Sequence, residues 1–235
     1  MKVVVIMSGG LDSTVLLHRT VAFSDLEVYG LSFDYGQRHR KELEFARYWG
    51  QKLCVDWKLL NISFMSQIAD KSSLTGDLKM PHTHYSHESQ KVTVVPNRNM
   101  VMLAIAVAWA ENLEAPIVFY GAHLNDRSVY PDCKPEFVEA VSLAATKGTL
   151  TKVRVEAPFV DKYKADLVAL GIQLGVDFSN TWSCYEGQKR PCLECATCLE
   201  RTEAFTKNNC QDPLLTNEEW LHALEKLERS EKDVT

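Results

Sequence analysis

The chain has 235 residues, 46% of them hydrophobic, and a formal net charge of −5 near neutral pH. That length closes one sizeable core with a small appendage, and is too short for two large independent domains. The acidic balance excludes a protein that coats nucleic acid, because neutralising phosphates needs a basic face, so no stable nucleic-acid partner is expected.

Lys2 to Met7 is a short apolar run that enters Ser8-Gly9-Gly10, and Ser13 to Phe23 follows with Val15, Leu16 and Leu17 at helical spacing. The order is strand, loop, helix. The run is one strand long and has no following cleavage site of a signal peptide, which gives the expectation of a cytoplasmic protein. Val28 to Phe33 predicts a second strand, and Arg40 to Leu53 a helix carrying Leu43, Phe45, Ala46 and Trp49. Further strands are expected at Trp57 to Ile62, Ile117 to Ala122 and Val153 to Ala157. Helices are expected at Met100 to Glu111 and from Lys164 to Leu174, the latter ending at Gly175. The longest apolar run, Met100 to Ala110, is too short to span a bilayer, so no membrane partner is expected. Alternating strands and helices predict an α/β fold with a doubly wound parallel sheet.

Two stretches leave this rhythm. Residues 63–95 form a long polar insertion, the signature of a lid or a disordered loop. Its His82, His84 and His87 could suggest a second metal site, but a polar lid is the favoured reading, since only Glu88 lies at ligand spacing. Residues 176–212 show little periodicity and hold most of the cysteines, so they are expected to need a source of stability other than apolar burial. Thr216-Asn217-Glu218-Glu219 then has the pattern of a capping box opening an amphipathic helix with Trp220, Leu221 and Leu224. The expected organisation is a catalytic domain over 1–175 with the 63–95 insertion, and a 176–235 segment with the terminal helix packed on the same domain.

Ser8-Gly9-Gly10-Leu11-Asp12-Ser13 falls between the first strand and the first helix, where a parallel sheet presents its carboxyl edge to ligands. The glycines permit close approach of backbone to phosphate, the serines offer hydroxyl donors, and the helix start favours an anion. Asp12 would repel phosphate unless it held Mg²⁺, which makes Mg²⁺ with ATP the consistent ligand. The bland reading is a strand-to-helix turn with Ser and Asp as caps. Neither a kinase-type P-loop nor a dinucleotide fingerprint is present. The motif resembles the PP-loop signature Ser-Gly-Gly-x-Asp-Ser, whose families cleave ATP between the α and β phosphates. Ser8, Gly9, Gly10, Asp12, Ser13 and Thr14 are the candidate nucleotide ligands.

Seven cysteines are present, and Cys184, Cys192, Cys195 and Cys198 fall within fifteen residues. Cys-x2-Cys turns bring thiolates onto one tetrahedral ion, which favours a structural Zn²⁺ over inert thiols. An iron-sulfur site would place a Pro after the fourth cysteine, which Cys210-Gln211 does not supply.

Further segments carry a more specific likeness: Leu31-Ser32-Phe33-Asp34-Tyr35-Gly36-Gln37-Arg38-His39, Pro96-Asn97-Arg98-Asn99, Tyr130-Pro131-Asp132-Cys133, and Thr181-Trp182-Ser183-Cys184-Tyr185 before the later cysteines. In this order they resemble the 7-cyano-7-deazaguanine synthase family of the queuosine pathway, over most of the chain. The resemblance implies that ATP adenylates the carboxylate of 7-carboxy-7-deazaguanine, ammonia displaces AMP to give an amide, and a second ATP activates the amide for elimination to the nitrile. It places Arg98 and Asn99 near the nucleotide or the purine-like substrate, and Asp126 and Asp132 facing the reaction centre with Asp12. Physical readings of the same residues stay open: Arg98 beginning the buried helix, Asp132 capping the turn after Pro131, Tyr35 as packing or a stacking platform, Cys133 as a small buried hydrophobe.

Several positions depart from the family pattern. Leu193 stands where Gly is usual, Met102 for Phe, Lys134 for Arg, and Arg127 and Val129 replace smaller or aromatic residues. No glutaminase-like region is visible, so free ammonia or another amine is the nitrogen source. Competing readings are a ligase that couples the same carboxylate to a protein amine in antiviral defence, a tRNA-thiolating PP-loop enzyme, and a zinc-stabilised nucleotide sensor. The sequence leaves a homodimer open.

Overall fold

A computed structural model describes residues 1–84 and 88–232. Five parallel strands, β1 (Lys2–Ile6), β2 (Glu27–Asp34), β3 (Asp56–Asn61), β4 (Ile117–Phe119) and β5 (Arg154–Glu156), form one sheet in the order β3-β2-β1-β4-β5. The first strand is central, and its Val3, Val4 and Val5 are fully buried, as a strand covered on both faces requires. Alternation divides them: Val4 enters one core cluster and Val5 the other. The strand order reverses at β1, so a crevice opens at its carboxyl end between β2 and β4.

The helices are α1 (Leu11–Val21), α2 (Glu42–Lys52), α3 (Met65–Ile68), α4 (Arg98–Leu113), α5 (Pro135–Gly148), α6 (Lys164–Gln173), α7 (Ala196–Lys207) and α8 (Asn217–Lys232). Helices α4 and α5 contribute to the cluster of Val4, whereas α1, α6 and α7 contribute to that of Val5. The doubly wound parallel sheet expected from the sequence is therefore present. Gly9 fixes one junction, since a Cβ there would lie 1.9 Å from the Glu42 carbonyl oxygen, and its φ of +86° is left-handed.

Three expectations need correction. The chain between β4 and β5 contains α5, whose signal is blurred by apolar residues on its outer side, with Leu143 exposed. The 176–212 segment is not poor in core: α7 buries Leu199, Ala204 and Phe205, and Arg201 makes a bidentate pair with Asp212 (2.6 and 2.9 Å). The insertion is anchored over its described part, where Met65, Ala69, Leu74, Met80 and Val95 join the core. His87 lies outside the described residues, and His82 faces Glu186 (2.8 Å) and Glu194 (3.1 Å) rather than the other histidine.

The capping box of α8 forms as expected. Thr216 Oγ1 accepts from the Glu219 amide (3.2 Å), and the Glu219 carboxylate accepts from the Thr216 amide (2.8 Å). The packed face differs from expectation: Ala223 and Leu227 are buried, while Leu221 is exposed.

Candidate active site

A cavity of about 210 Å³ opens at the carboxyl end of β1, lined by the Ser8–Ser13 loop, the start of α2, the start of α4, the segment that follows β4, and residues from α6 and α7. At the loop, the Ser8 and Gly9 amides donate to Ser13 Oγ (3.1 and 3.2 Å), and the Gly10 amide donates to Ser8 Oγ (3.1 Å). The serine hydroxyls thus occupy the donors that an anion would take. Ser8, Gly10, Asp12 and Ser13 line the cavity; Gly9 and Thr14 do not. Gly9 instead packs on α2, and Thr14 is buried with its hydroxyl unpartnered.

Asp12 sits among groups from distant parts of the chain. Its Oδ2 lies 3.4 Å from Lys164 Nζ on α6 and 3.6 Å from His123 Nε2 after β4. His123 is also 3.4 Å from Asp126, and Lys164 is 2.5 Å from Glu200 on α7. Burial alone would raise the Asp12 carboxyl, but Lys164 and His123 outweigh it and hold the group well below the usual range. Burial pulls His123 down, yet Asp126 and Asp12 bring it up to about 9. Burial likewise works against the Lys164 ammonium, and Asp12 and Glu200 leave it above its ordinary value. Lys164 and His123 are therefore cations at neutral pH, facing the phosphate loop.

The far end of the cavity is aromatic. Arg98, the first residue of α4, donates from Nη1 to Tyr35 Oη (3.0 Å), with its guanidinium 5.3 Å from the Tyr35 ring centroid. Among the described residues no carboxylate lies within salt-bridge distance of Arg98. Tyr130 donates to or accepts from Thr93 (2.8 Å), and the Tyr185 ring lies 5.1 Å from His39. His39 Nε2 and Glu42 Oε1 are 3.4 Å apart, but burial pushes His39 down to about 3 and Glu42 up to about 8, so this is not an ion pair at neutral pH.

Asn99 and Asp126 line this cavity, whereas Asp132 does not. Asp132 instead accepts from the Asn99 amide (3.0 Å), capping the start of α4 and so setting the position of Arg98. Asp132 was expected to face the reaction centre; here it stands off the cavity lining, at the helix start that carries Arg98. Cys133 is buried at the cavity wall, with its thiol pushed well above the ordinary value by burial and by Asp126 and Asp132. That is the small hydrophobe expected, and not a thiolate.

The sulfur atoms of Cys184, Cys192, Cys195 and Cys198 all lie within 4.8 Å of one another. The amides of Cys192 and Cys195 donate to Cys184 Sγ and Cys192 Sγ (both 3.3 Å), which steadies thiolate ligands. This cluster fits a metal ion. It also builds the cavity, because Trp182, Ser183 and Tyr185 flank Cys184 while Cys195 is the residue before α7, which carries Thr197 and Glu200.

The Queuosine biosynthesis protein QueC family model matches residues 2–209. The chain belongs to the QueC family. It is 48% identical to the 7-cyano-7-deazaguanine synthase of Archaeoglobus fulgidus, over 95% of this chain and 94% of that protein. It is 47% identical to the synthase of Pseudoalteromonas atlantica, over 91% and 97%. Among solved structures, NMN synthetase from Francisella tularensis matches with a TM-score of 0.52 at 15% identity, covering 97% of this chain and 84% of that one, which supports the shared fold alone. Within this QueC-family chain, Leu193 keeps a left-handed φ of +66° in the cysteine turn and buries its side chain against Leu215 and Ala223 of α8. Among the described residues no helix is long and apolar enough to cross a membrane.

Lys164, Glu200, His123, His39 and Glu42 were not singled out from the sequence. Each is a lone polar residue at a helix start, in a helix or in a loop, and no local spacing marks it. Burial of a charged side chain at a sheet's carboxyl edge is the signal that finds them.

Proposed function

We propose that this chain is an AMP- and pyrophosphate-forming ligase that converts 7-carboxy-7-deazaguanine and ammonia into 7-cyano-7-deazaguanine. The observation that carries it is one cavity joining a phosphate loop with flanking cations to an aromatic end bearing Arg98, which has no carboxylate partner among the described residues, in a member of this family. A substrate carboxylate attacks the α-phosphorus, the bond to pyrophosphate breaks, and an acyl-adenylate forms. Ammonia then displaces AMP to give the amide; adenylation of the amide oxygen and loss of a second AMP leave the nitrile. A carboxylate needs this activation because its oxygen is a poor leaving group, whereas AMP is a good one.

In this reading the Ser8 and Ser13 hydroxyls turn from acceptors to donors, releasing the Ser8 and Gly10 amides to the phosphates. Lys164 and His123 face the charge that develops as pyrophosphate departs. Asp12 Oδ1 is buried without a hydrogen-bond partner, which fits a cation ligand. Mg²⁺, when bound there with ATP, supplies charge neutralisation of the phosphates. Arg98 orients the substrate carboxylate, and Asn99 and Asp126 complete the wall. Cys184, Cys192, Cys195 and Cys198 would hold Zn²⁺, and their cross-link would keep Trp182, Tyr185 and the start of α7 in place. A thiolating enzyme would use a catalytic cysteine or an iron-sulfur cluster, and the raised Cys133 thiol argues against the first.

Purified protein incubated with the carboxylate, ATP, Mg²⁺ and ammonium tests the reading by mass spectrometry. Nitrile formation is expected, and Asp12→Asn should lose it. Absence of any carboxylate-dependent pyrophosphate release would reject it.

A further inference from the structure

We propose that Glu42 is the specificity-determining residue of this cavity, accepting from the N1–H and 2-amino groups of a guanine-type ring while Arg98 serves the adjoining oxygen-bearing edge. The inference deepens the proposed function and rests on it.

Glu42 begins α2, and its carboxyl reaches the cavity wall between the phosphate loop and the aromatic end. Oε1 accepts from Gln37 Nε2 (3.1 Å), and Gln37 is itself anchored, accepting from the Tyr35 amide (2.9 Å) and donating to the Phe33 carbonyl (3.2 Å). Oε2 has no hydrogen-bond donor among the described residues. The side chain keeps 11% of its surface exposed and lines the cavity, so this oxygen is open to a ligand's donors. The neighbouring His39 does not occupy it: its Nε2 lies 3.4 Å from the other oxygen, Oε1, and 3.3 Å from Tyr35 Oη. The walls nearby are flat and apolar, from Tyr35, Tyr130 and Tyr185, which suits a planar ring.

The order of groups around the ligand then matches the order of side chains. Along one side of a 7-carboxy-7-deazaguanine run the carboxylate, the C6 oxygen, N1–H and the 2-amino group: two acceptors followed by two donors. The cavity offers a guanidinium with only donors and a carboxyl that accepts. Arg98 and Glu42 are close enough that Arg98 opposes the rise that burial imposes on Glu42. Placing Arg98 on the carboxylate and C6 oxygen puts the ring's parallel donors toward Glu42, where a carboxylate accepts them as a pair. Two ligand donors also favour the ionised carboxyl, restoring the charge that burial suppresses.

The test is carboxylate-dependent ATP–pyrophosphate exchange with 7-carboxy-7-deazaguanine and with its analogue lacking the 2-amino group, for wild type and Glu42→Gln. The wild type should prefer the amino-bearing acid by about 100-fold or more in kcat/KM, since its loss strands a buried acceptor. Glu42→Gln should bring that preference within a few-fold by raising KM for the natural acid, leaving KM for ATP and zinc content unchanged. Wild-type discrimination and KM in the variant would overturn the assignment. Should the variant not fold, competition binding of the two acids to the wild type decides: equal affinities overturn it, and a large preference upholds it. Wild type that exchanges with neither acid rejects the proposed function and this assignment together. Wild type that exchanges with both alike rejects the assignment alone.

Discussion

The Lys164 ammonium stands 3.4 Å from the Asp12 carboxylate, joining the start of α6 to the phosphate loop inside the cavity. Glu200 holds its other side at 2.5 Å, so the cation is fixed by two carboxylates from different helices. Replacing it with a neutral chain of similar length leaves Glu200 buried without its partner and Asp12 with His123 alone. Lys164→Met is expected to lose about 3–5 kcal/mol of stability. Its kcat for pyrophosphate release should fall by at least about 100-fold in the fraction that remains folded. Denaturant melts and a pyrophosphate assay measure the two effects. A variant with wild-type kcat would remove Lys164 from the chemistry.

Stability should fall in mildly alkaline solution because of His123. Its folded-state value of about 9 lies above the unfolded value of about 6.5, so its contribution is complete below the lower value and is lost as pH rises through the higher. The gap corresponds to about 3 kcal/mol at most. Glu42, pushed up to about 8 by burial, adds a loss of the same sign over lower pH. The informative quantity is therefore the difference between wild type and His123→Gln. Unfolding free energies from pH 6 to 10 should show a shallower decline in the variant, and parallel curves would count against a charged His123.

About one zinc per chain is expected, and Cys195→Ser should lose it. Because Cys195 immediately precedes α7, the loss should also release Glu200 from Lys164 and lower pyrophosphate release along with melting temperature. Elemental analysis and thermal melts provide the check. Unchanged metal content in the variant would move the site elsewhere.

Leu193 sets two opposing effects against each other. Its left-handed backbone costs about 1–2 kcal/mol, whereas full burial of a leucine side chain contributes about 1.5–3 kcal/mol, and its removal also leaves a void beneath α8. Burial wins on these magnitudes. Leu193→Gly should therefore destabilise the protein by about 1 kcal/mol while keeping its metal, as measured by chemical denaturation. A stabilised variant would show that backbone strain dominates.

The parts of this molecule that could be read from sequence are local ones. The phosphate loop and the cysteine cluster are short motifs whose chemistry depends on near neighbours, and the central strands announce themselves by continuous apolar runs such as Val3-Val4-Val5. Helix α7 was hidden because its buried side includes Glu200, Arg201 and Thr202, which break the apolar period. Helix α5 was hidden by the reverse, an exposed Leu143. Asp132 was assigned to the reaction centre through resemblance, and its hydrogen bond to the Asn99 amide depends on a turn meeting a helix start over thirty residues away. Lys164, Glu200 and Glu42 acquire meaning only when α6, α7 and α2 converge on the end of β1.

The most direct measurement counts AMP formed per 7-carboxy-7-deazaguanine consumed, with ammonium as the only amine and mass spectrometry of the product. Two adenylations are required to reach the nitrile, one for the acid and one for the amide. A ratio near two, with the nitrile as product, is the expected result. A ratio near one that stops at the amide, or acyl transfer to a co-expressed protein in place of ammonia, would contradict the synthase reading.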